Sequence, residues 1–147
     1  MAAGPLDFSV PIPFVDHLGI QLWRFDGGYS RLEWTPRPEH QNSFRVAHGG
    51  ALMTLLDVGM ATAARSVQPE MGVITIEMKT SFMRPATGRL ACEGRIMHRT
   101  ATLAFMEATV YDEQGQACAH GTGTFKYVRR LATGPRSAND LGVISTD

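Results

Sequence analysis

Hydrophobic and polar residues alternate over six stretches of the chain with a period of two, the pattern of half-buried β-strands. Asp26-Gly27-Gly28 joins the first two stretches and predicts a hairpin. Turn-forming residues separate the others. The predicted strands are 20–25, 29–34, 73–83, 89–99, 102–112 and 117–128.

The stretch between the second and third strands has the period of an α-helix instead. Apolar or small residues stand at i, i+3, i+4, i+7, i+8 and i+11 from Leu52 to Ala63. Most other positions are also small or apolar, so we expect a helix that begins near Gly49 and is buried on nearly every side. A curved antiparallel sheet wrapped around this helix would cover it, which predicts an α+β fold.

The segments outside these patterns are rich in proline, glycine or polar residues. Pro5, Pro11 and Pro13 predict an irregular start up to a short turn near residues 14–17. Residues 37–50 are polar and predict a long loop of the kind that often carries function.

Length and charge narrow the class of protein. The 147 residues are enough for one domain with a real core, and we expect a single domain over 1–147, with its core at about 13–128 and a loosely ordered tail at about 131–147. Fourteen basic residues balance fourteen acidic ones, so a nucleic-acid partner is not expected. Neither a signal-peptide pattern nor a long apolar run is present, which predicts a cytoplasmic protein without a membrane partner.

The cysteines and histidines do not form a metal-ligand pattern. Cys92 and Cys118 are isolated, which fits buried thiols in a reducing compartment better than a disulfide or a zinc site. The histidines also lack ligand spacing, so we expect no metal site.

The predicted helix contains a single acid, Asp57, among the apolar residues Leu55, Leu56 and Val58. A carboxylate in such surroundings needs a partner or a function. A structural acid satisfied by backbone donors is one interpretation. We favour the other, in which desolvation perturbs the pKa of a general base or nucleophile.

His48-Gly49-Gly50 lies where the polar loop becomes the helix. The unpaired amides of a helix start, together with the helix dipole, stabilise developing negative charge, although a plain glycine-rich turn fits the same residues. Asp57 follows Gly50 by seven residues, or about 10 Å along the axis. If both groups act on one carbonyl, the acid must come from a second subunit, which predicts a two-fold homodimer.

Four segments carry a more specific pattern: PFVDHLGIQL, EHQNSFRVAHGGALMTLLDVGMATAA, TIEMKTSFMRPA and AHGTGTFKYV, the second of which contains N-x5-H-G-G-x6-D. Together they resemble the hotdog-fold acyl-CoA thioesterases of the phenylacetic-acid-degradation type, a branch similar to 4-hydroxybenzoyl-CoA thioesterase. The resemblance covers residues 13–128. It implies a hotdog fold, homodimers that often pair into homotetramers, and hydrolysis of acyl-CoA without metal or other cofactor.

The resemblance implies roles for five residues. Asn42 and His48 match positions that contact or orient the thioester, and the Gly49 amide matches the group that polarises its carbonyl. Asp57 matches the acid that activates water or attacks directly, acting across the dimer. Thr75 matches a Ser or Thr position that holds the attacking water.

Thr75 and Arg45 stand out within these segments. Alternation along the strand places Thr75 opposite the core-type residues Ile74 and Ile76, while a threonine chosen for strand propensity alone is the plain alternative. Arg45 departs from the family, in which glycine is common at or near this position.

Candidate substrate contacts follow from side-chain chemistry. Cations at strand ends suit the phosphates of CoA, and methionine or phenylalanine suits an acyl pocket, although solvated charges and plain core packing explain the same residues. The candidates are Gly50, Arg84, Arg99, Lys126, Met53 and Phe82.

The sequence therefore predicts an acyl-CoA thioesterase in which Asp57 activates water or forms a covalent anhydride. No G-x-S-x-G motif is present, which argues against a serine hydrolase. Two alternatives stay open: a non-catalytic acyl-CoA binding or sensing protein, which would not need Asp57, and a hotdog dehydratase or hydratase, which uses another His-plus-acid arrangement. The acyl group could be aryl, short or medium in length.

Overall fold

The computed structural model describes residues 4–129, so the tail predicted at about 131–147 lies outside the described part of the chain. Every predicted strand is confirmed, with ends that differ from the prediction by at most two residues. In chain order the elements are α1 Pro13–Leu18, β1 Gln21–Asp26, β2 Tyr29–Trp34, a 3-10 turn Pro38–His40, α2 Gly49–Arg65, β3 Met71–Phe82, β4 Leu90–Arg99, β5 Leu103–Tyr111 and β6 Ala117–Arg129.

The six strands form one antiparallel sheet in the order β1-β2-β4-β5-β6-β3. The strand β2 pairs with β4 although α2 and β3 lie between them in the chain, so the sheet closes over the helix. Within residues 4–129, β3 pairs only with β6, which leaves its other edge without a strand partner. This arrangement confirms the predicted α+β fold.

The helix α2 packs its apolar stripe against the sheet. The pattern predicted burial on nearly every side, and this prediction is wrong. One face stays open because the sheet covers only the opposite face: Met53 is 38% exposed, and Asp57 and Val58 are half-buried. The fully enclosed stripe consists of Leu52, Leu55, Leu56, Met60 and Ala63.

The backbone of α2 lies directly against β2 and β4 near its middle. Ser30 Oγ donates a hydrogen bond of 2.6 Å to the carbonyl oxygen of Gly59. A Cβ atom at Gly94 would overlap that carbonyl oxygen and lie 2.7 Å from Ser30 Oγ, and one at Gly59 would lie 2.7 Å from Cys92 Sγ. This close approach therefore requires glycine on both the helix and the strand.

Cys92 and Cys118 are both free and buried, as predicted. Burial raises the pKa of each thiol, and the Sγ of Cys92 lies 3.6 Å from the carbonyl oxygen of Leu55. Both sulfur atoms therefore belong to the core rather than to a reactive site. None of the helices in residues 4–129 has the length and apolar character needed to cross a membrane.

Candidate active site

Asp57 and Thr75 meet where α2 faces β3. Thr75 Oγ1 donates a hydrogen bond of 2.6 Å to Asp57 Oδ1. Burial raises the pKa of Asp57, and the hydrogen bond from Thr75 opposes part of this rise. The carboxylate is therefore more basic than an exposed aspartate while it remains held by a hydroxyl group, as a general base requires.

Ordinary strand alternation turns Thr75 toward the helix, because Thr75 pairs with the buried Phe125 and lies on the same side of β3 as Val73. The pairing of β3 with β6 shifts register between Thr75 and Glu77, which makes Ile76 the extra residue. The prediction that Thr75 lies opposite core-type residues Ile74 and Ile76 is wrong in its choice of the core side: Thr75 itself faces α2, and Ile76 is 53% exposed. The alternation itself holds between Ile74 and Thr75, which pair with Lys126 and the buried Phe125 respectively, so the error was to take the isoleucines as the core side.

The Asp57–Thr75 pair lies on the wall of a cavity of about 410 Å³, here named the Asp57 cavity. It runs between α2 and the first half of β3, and residues 8–12 close its third side. Its walls are mostly apolar, with Val58 and Val73 near the acid. An apolar chamber beside a desolvated carboxylate suits the acyl part of a substrate.

His48 caps the start of α2. Its Nδ1 accepts a hydrogen bond of 2.8 Å from the Gly50 amide, so that amide is already engaged. The Gly49 amide is the first of the helix and has no acceptor within it, because the first four amides of an α-helix lack one. Of the two glycines, Gly49 is thus the better placed to bind an oxyanion.

His40 connects the two ends of the loop before α2 by hydrogen bonds to backbone amides. The His40 side chain is buried, and its Nδ1 accepts a hydrogen bond of 3.0 Å from the Arg37 amide. The backbone carbonyl oxygen of His40 accepts a hydrogen bond of 2.9 Å from the His48 amide. Burial, followed by the charge of Arg37, lowers the pKa of His40. A neutral His40 therefore anchors the residue that caps the helix.

Asn42 organises the turn that precedes the cap. Its Oδ1 accepts hydrogen bonds from the amides of Phe44 at 2.9 Å and Val46 at 3.4 Å. Arg45 has a φ of 59°, in the left-handed region that glycine adopts most easily. The loop of this chain thus follows a glycine-like path although arginine occupies the position.

A second cavity, of about 340 Å³, brings together Asn42, Gly49, Phe82 and Arg84 and is here named the Gly49 cavity. The ring of Phe82 packs against Gly49, where a Cβ atom would lie 3.4 Å from it. Four of the predicted site residues therefore cluster at the helix start. The Gly49 cavity and the Asp57 cavity have no lining residue in common.

The remaining predicted contacts lie elsewhere. Lys126 is nine residues along β6 from Ala117, whose carbonyl oxygen lies 3.5 Å from Arg84 Nη1, so about 30 Å of strand separates the two cations. Arg99 is near the Lys126 end, with its guanidinium 5.9 Å from the Tyr127 ring centre. Met53 lies on the open face of α2 and lines neither cavity.

Residues 8–12 line the Asp57 cavity and were not predicted as site residues. Their prolines indicated irregular backbone, and no motif marked Phe8 or Ile12 as a cavity wall. Their proximity to α2 depends on tertiary contacts, which no local pattern encodes.

The raised pKa of Asp57 gives a prediction for stability. The folded-state pKa lies above the ordinary value of 3.8, so the contribution of Asp57 to stability is complete below that pH and is lost as the pH rises through the folded-state pKa. We expect Asp57→Asn to unfold at a higher temperature than the wild type at neutral pH, with the difference vanishing toward pH 3.8. Thermal unfolding followed by circular dichroism across this range tests it, and a pH-independent difference would contradict it.

Residues 44–119 match the family model described as the Thioesterase superfamily. The proofreading thioesterase EntH of Klebsiella pneumoniae subsp. pneumoniae is 30% identical over 116 residues, which cover 77% of this chain and 84% of that protein.

Solved structures share the architecture. A thioesterase family protein from Silicibacter pomeroyi has a TM-score of 0.74 at 27% identity, covering 79% of this chain and 89% of that one. The E. coli PaaI protein from the phenylacetic acid degradation operon has a TM-score of 0.75 and covers 82% of this chain and 87% of that one. At 20% identity this second likeness concerns the fold alone. The predicted hotdog fold is confirmed.

Proposed function

The chain belongs to the Thioesterase superfamily, and from this premise we propose that it hydrolyses acyl-CoA thioesters to a free carboxylic acid and CoA. Thioester hydrolysis follows from the family and from the related thioesterase, whereas CoA as the carrier is our proposal. The observation that carries the proposal is the hydrogen bond from Thr75 to Asp57 on the wall of an apolar cavity.

In the proposed reaction Asp57 acts as a general base. It accepts a proton from a water molecule held with Thr75 while the water oxygen attacks the thioester carbonyl carbon. The Gly49 amide donates a hydrogen bond to the resulting oxyanion. Collapse of this intermediate breaks the C–S bond, and the proton on Asp57 passes to the departing thiolate. Direct attack by Asp57, with an anhydride intermediate, is the alternative route.

We propose that two subunits form each site. Asp57 follows Gly49 by eight residues, about 12 Å along α2, and the two residues line different cavities. Two α2 helices packed antiparallel across a two-fold axis would bring Asp57 of one protomer to Gly49 of the partner subunit. The open face of α2, and the edge of β3 that has no strand partner within residues 4–129, supply surfaces that such a partner would cover. A tetramer made from two such dimers stays a prediction.

Mixed dimers test this arrangement. We expect Asp57→Asn and Asn42→Ala each to be impaired as homodimers, whereas a purified heterodimer of the two holds one site without either change. Because a two-fold dimer has two sites, the heterodimer should regain about half of the wild-type rate. Differently tagged chains and a thiol-release assay provide the measurement, with Asp57→Asn homodimers as the control. A heterodimer no faster than the better homodimer would place the acid and the loop of each site in one chain.

The primary test of function is thiol release by the wild-type protein from aryl-CoA and straight-chain acyl-CoA esters. We expect release of free CoA without an added metal or cofactor. Tight binding of acyl-CoA without release would favour the non-catalytic alternative, and water addition to or elimination from the acyl chain would favour the dehydratase or hydratase.

A further inference from the structure

The segment formed by residues 6–12, here named the N-terminal strap, crosses the molecule next to α2. The Leu6 amide donates a hydrogen bond of 2.7 Å to the carbonyl oxygen of Leu22, and this bond pairs the strap with β1. Phe8 is only 9% exposed, and Val10 and Ile12 are half-buried. All three line the Asp57 cavity, so the strap forms one side of it.

Arg65, in the last turn of α2, fastens the strap from inside. Its side chain is buried, and Nη2 donates a hydrogen bond of 2.5 Å to the carbonyl oxygen of Phe8. Its Nη1 lies 3.4 Å from Ser9 Oγ. The guanidinium also lies 4.8 Å from the ring centre of Phe25. Arg65 thus fixes the position of the strap against the helix.

The Asp57 cavity has a direction. Asp57 and Thr75 lie at one end, and Arg65 lies eight residues farther along α2, about 12 Å away. The volume of about 410 Å³ is within the range of small-molecule sites. A thioester carbonyl held at Asp57 would direct its acyl group along α2 between Val58 and the strap, toward the charged end at Arg65.

We propose that the N-terminal strap determines which acyl groups the enzyme accepts. Phe8, Val10 and Ile12 form the wall against which the acyl group packs, and Arg65 is a positioning residue that holds this wall and closes the far end. The Asp57 cavity then selects substrates whose acyl group is uncharged, apolar and no longer than the distance from Asp57 to Arg65. This inference rests on the proposed function, because it assigns the acyl end of the same substrate.

Binding measured without turnover tests the strap. In an Asp57→Asn background, dissociation constants are measured by calorimetry for straight-chain esters from butanoyl-CoA to palmitoyl-CoA. Adding Val10→Trp narrows the cavity and should weaken binding of longer chains relative to shorter ones by about tenfold or more, while Phe8→Ala should shift the ratio the other way. Arg65→Met should flatten the length profile as Phe8→Ala does. Phe14→Ala, at an exposed position outside the cavity, is the matched control and should leave the profile unchanged.

The outcomes separate the two proposals. A length profile that stays the same in Val10→Trp overturns the role of the strap, and Val10 is only half-buried, so this variant serves even if Phe8→Ala fails to fold. Thiol release by the wild type is measured in parallel. Release without strap-dependent selectivity refutes the strap alone, whereas strap-dependent binding without release refutes hydrolysis alone. Absence of both binding and release overturns both.

Discussion

Replacing Asp57 with asparagine is expected to lower kcat by two or more orders of magnitude, the scale of removing a general base. Asparagine has nearly the same size and still accepts the hydrogen bond from Thr75, so the geometry of the pair should persist. The amide cannot take a proton from water, and the chemical step alone should suffer. The thiol-release assay, read as kcat and KM separately, should therefore give a fallen kcat with little change in KM.

The matched control for this variant is Asp26→Asn in the first hairpin. Asp26 is an exposed acid whose Oδ1 lies 2.7 Å from Nε of Arg24, and it lines neither cavity. It undergoes the same chemical change and should retain wild-type turnover. Turnover of Asp57→Asn equal to that of this control would refute the proposed mechanism, in both its water-activated and its anhydride form.

Replacing Gly94 with alanine is expected to give the largest loss of stability of any conservative change discussed here. The new methyl group would overlap the carbonyl oxygen of Gly59 and crowd Ser30 Oγ. The first of these atoms belongs to the backbone in the middle of α2, so it cannot move without shifting the helix that carries Asp57. We expect a cost at or beyond the upper end of overpacking, about 3 kcal/mol or more, and a large insoluble fraction.

Urea unfolding followed by circular dichroism measures this cost. Gly4→Ala is the matched control, because a Cβ atom at Gly4 meets nothing within 4 Å and its stability should stay near that of the wild type. Ser30→Ala separates packing from hydrogen bonding at the same contact, and it should cost only about 1 kcal/mol. A normal unfolding midpoint for Gly94→Ala would mean that α2 lies farther from β4 than described.

The periodic elements could be predicted because their signal is local. Each strand carries its own alternation, and the stripe from Leu52 to Ala63 fixes the buried face of α2. The single acid of the predicted helix, Asp57, was visible for the same reason. These signals were sufficient for the order hairpin, helix and four strands, and thus for the fold class.

The features that escaped prediction depend on register and on contacts between distant segments. The bulge at Ile76 arises from how β3 pairs with β6, and nothing in β3 alone specifies it. The open face of α2 resembles a covered one in sequence, because Met53 and Val58 on it are apolar as well. The use of the Gly50 amide by His48 and the fastening of Phe8 by Arg65 required the three-dimensional arrangement.

The strand order has a consequence for folding during translation. The strand β3 is synthesised before β4 and β5, yet within the described chain its partner is β6, with Met71 opposite Arg129. During translation β3 therefore waits without a partner until almost all of the described chain has emerged, and such distant pairings slow folding. In that interval Ile76 and Phe82 are on a strand with two unpaired edges, so the nascent chain is most vulnerable to aggregation just before β6 is available to pair with β3.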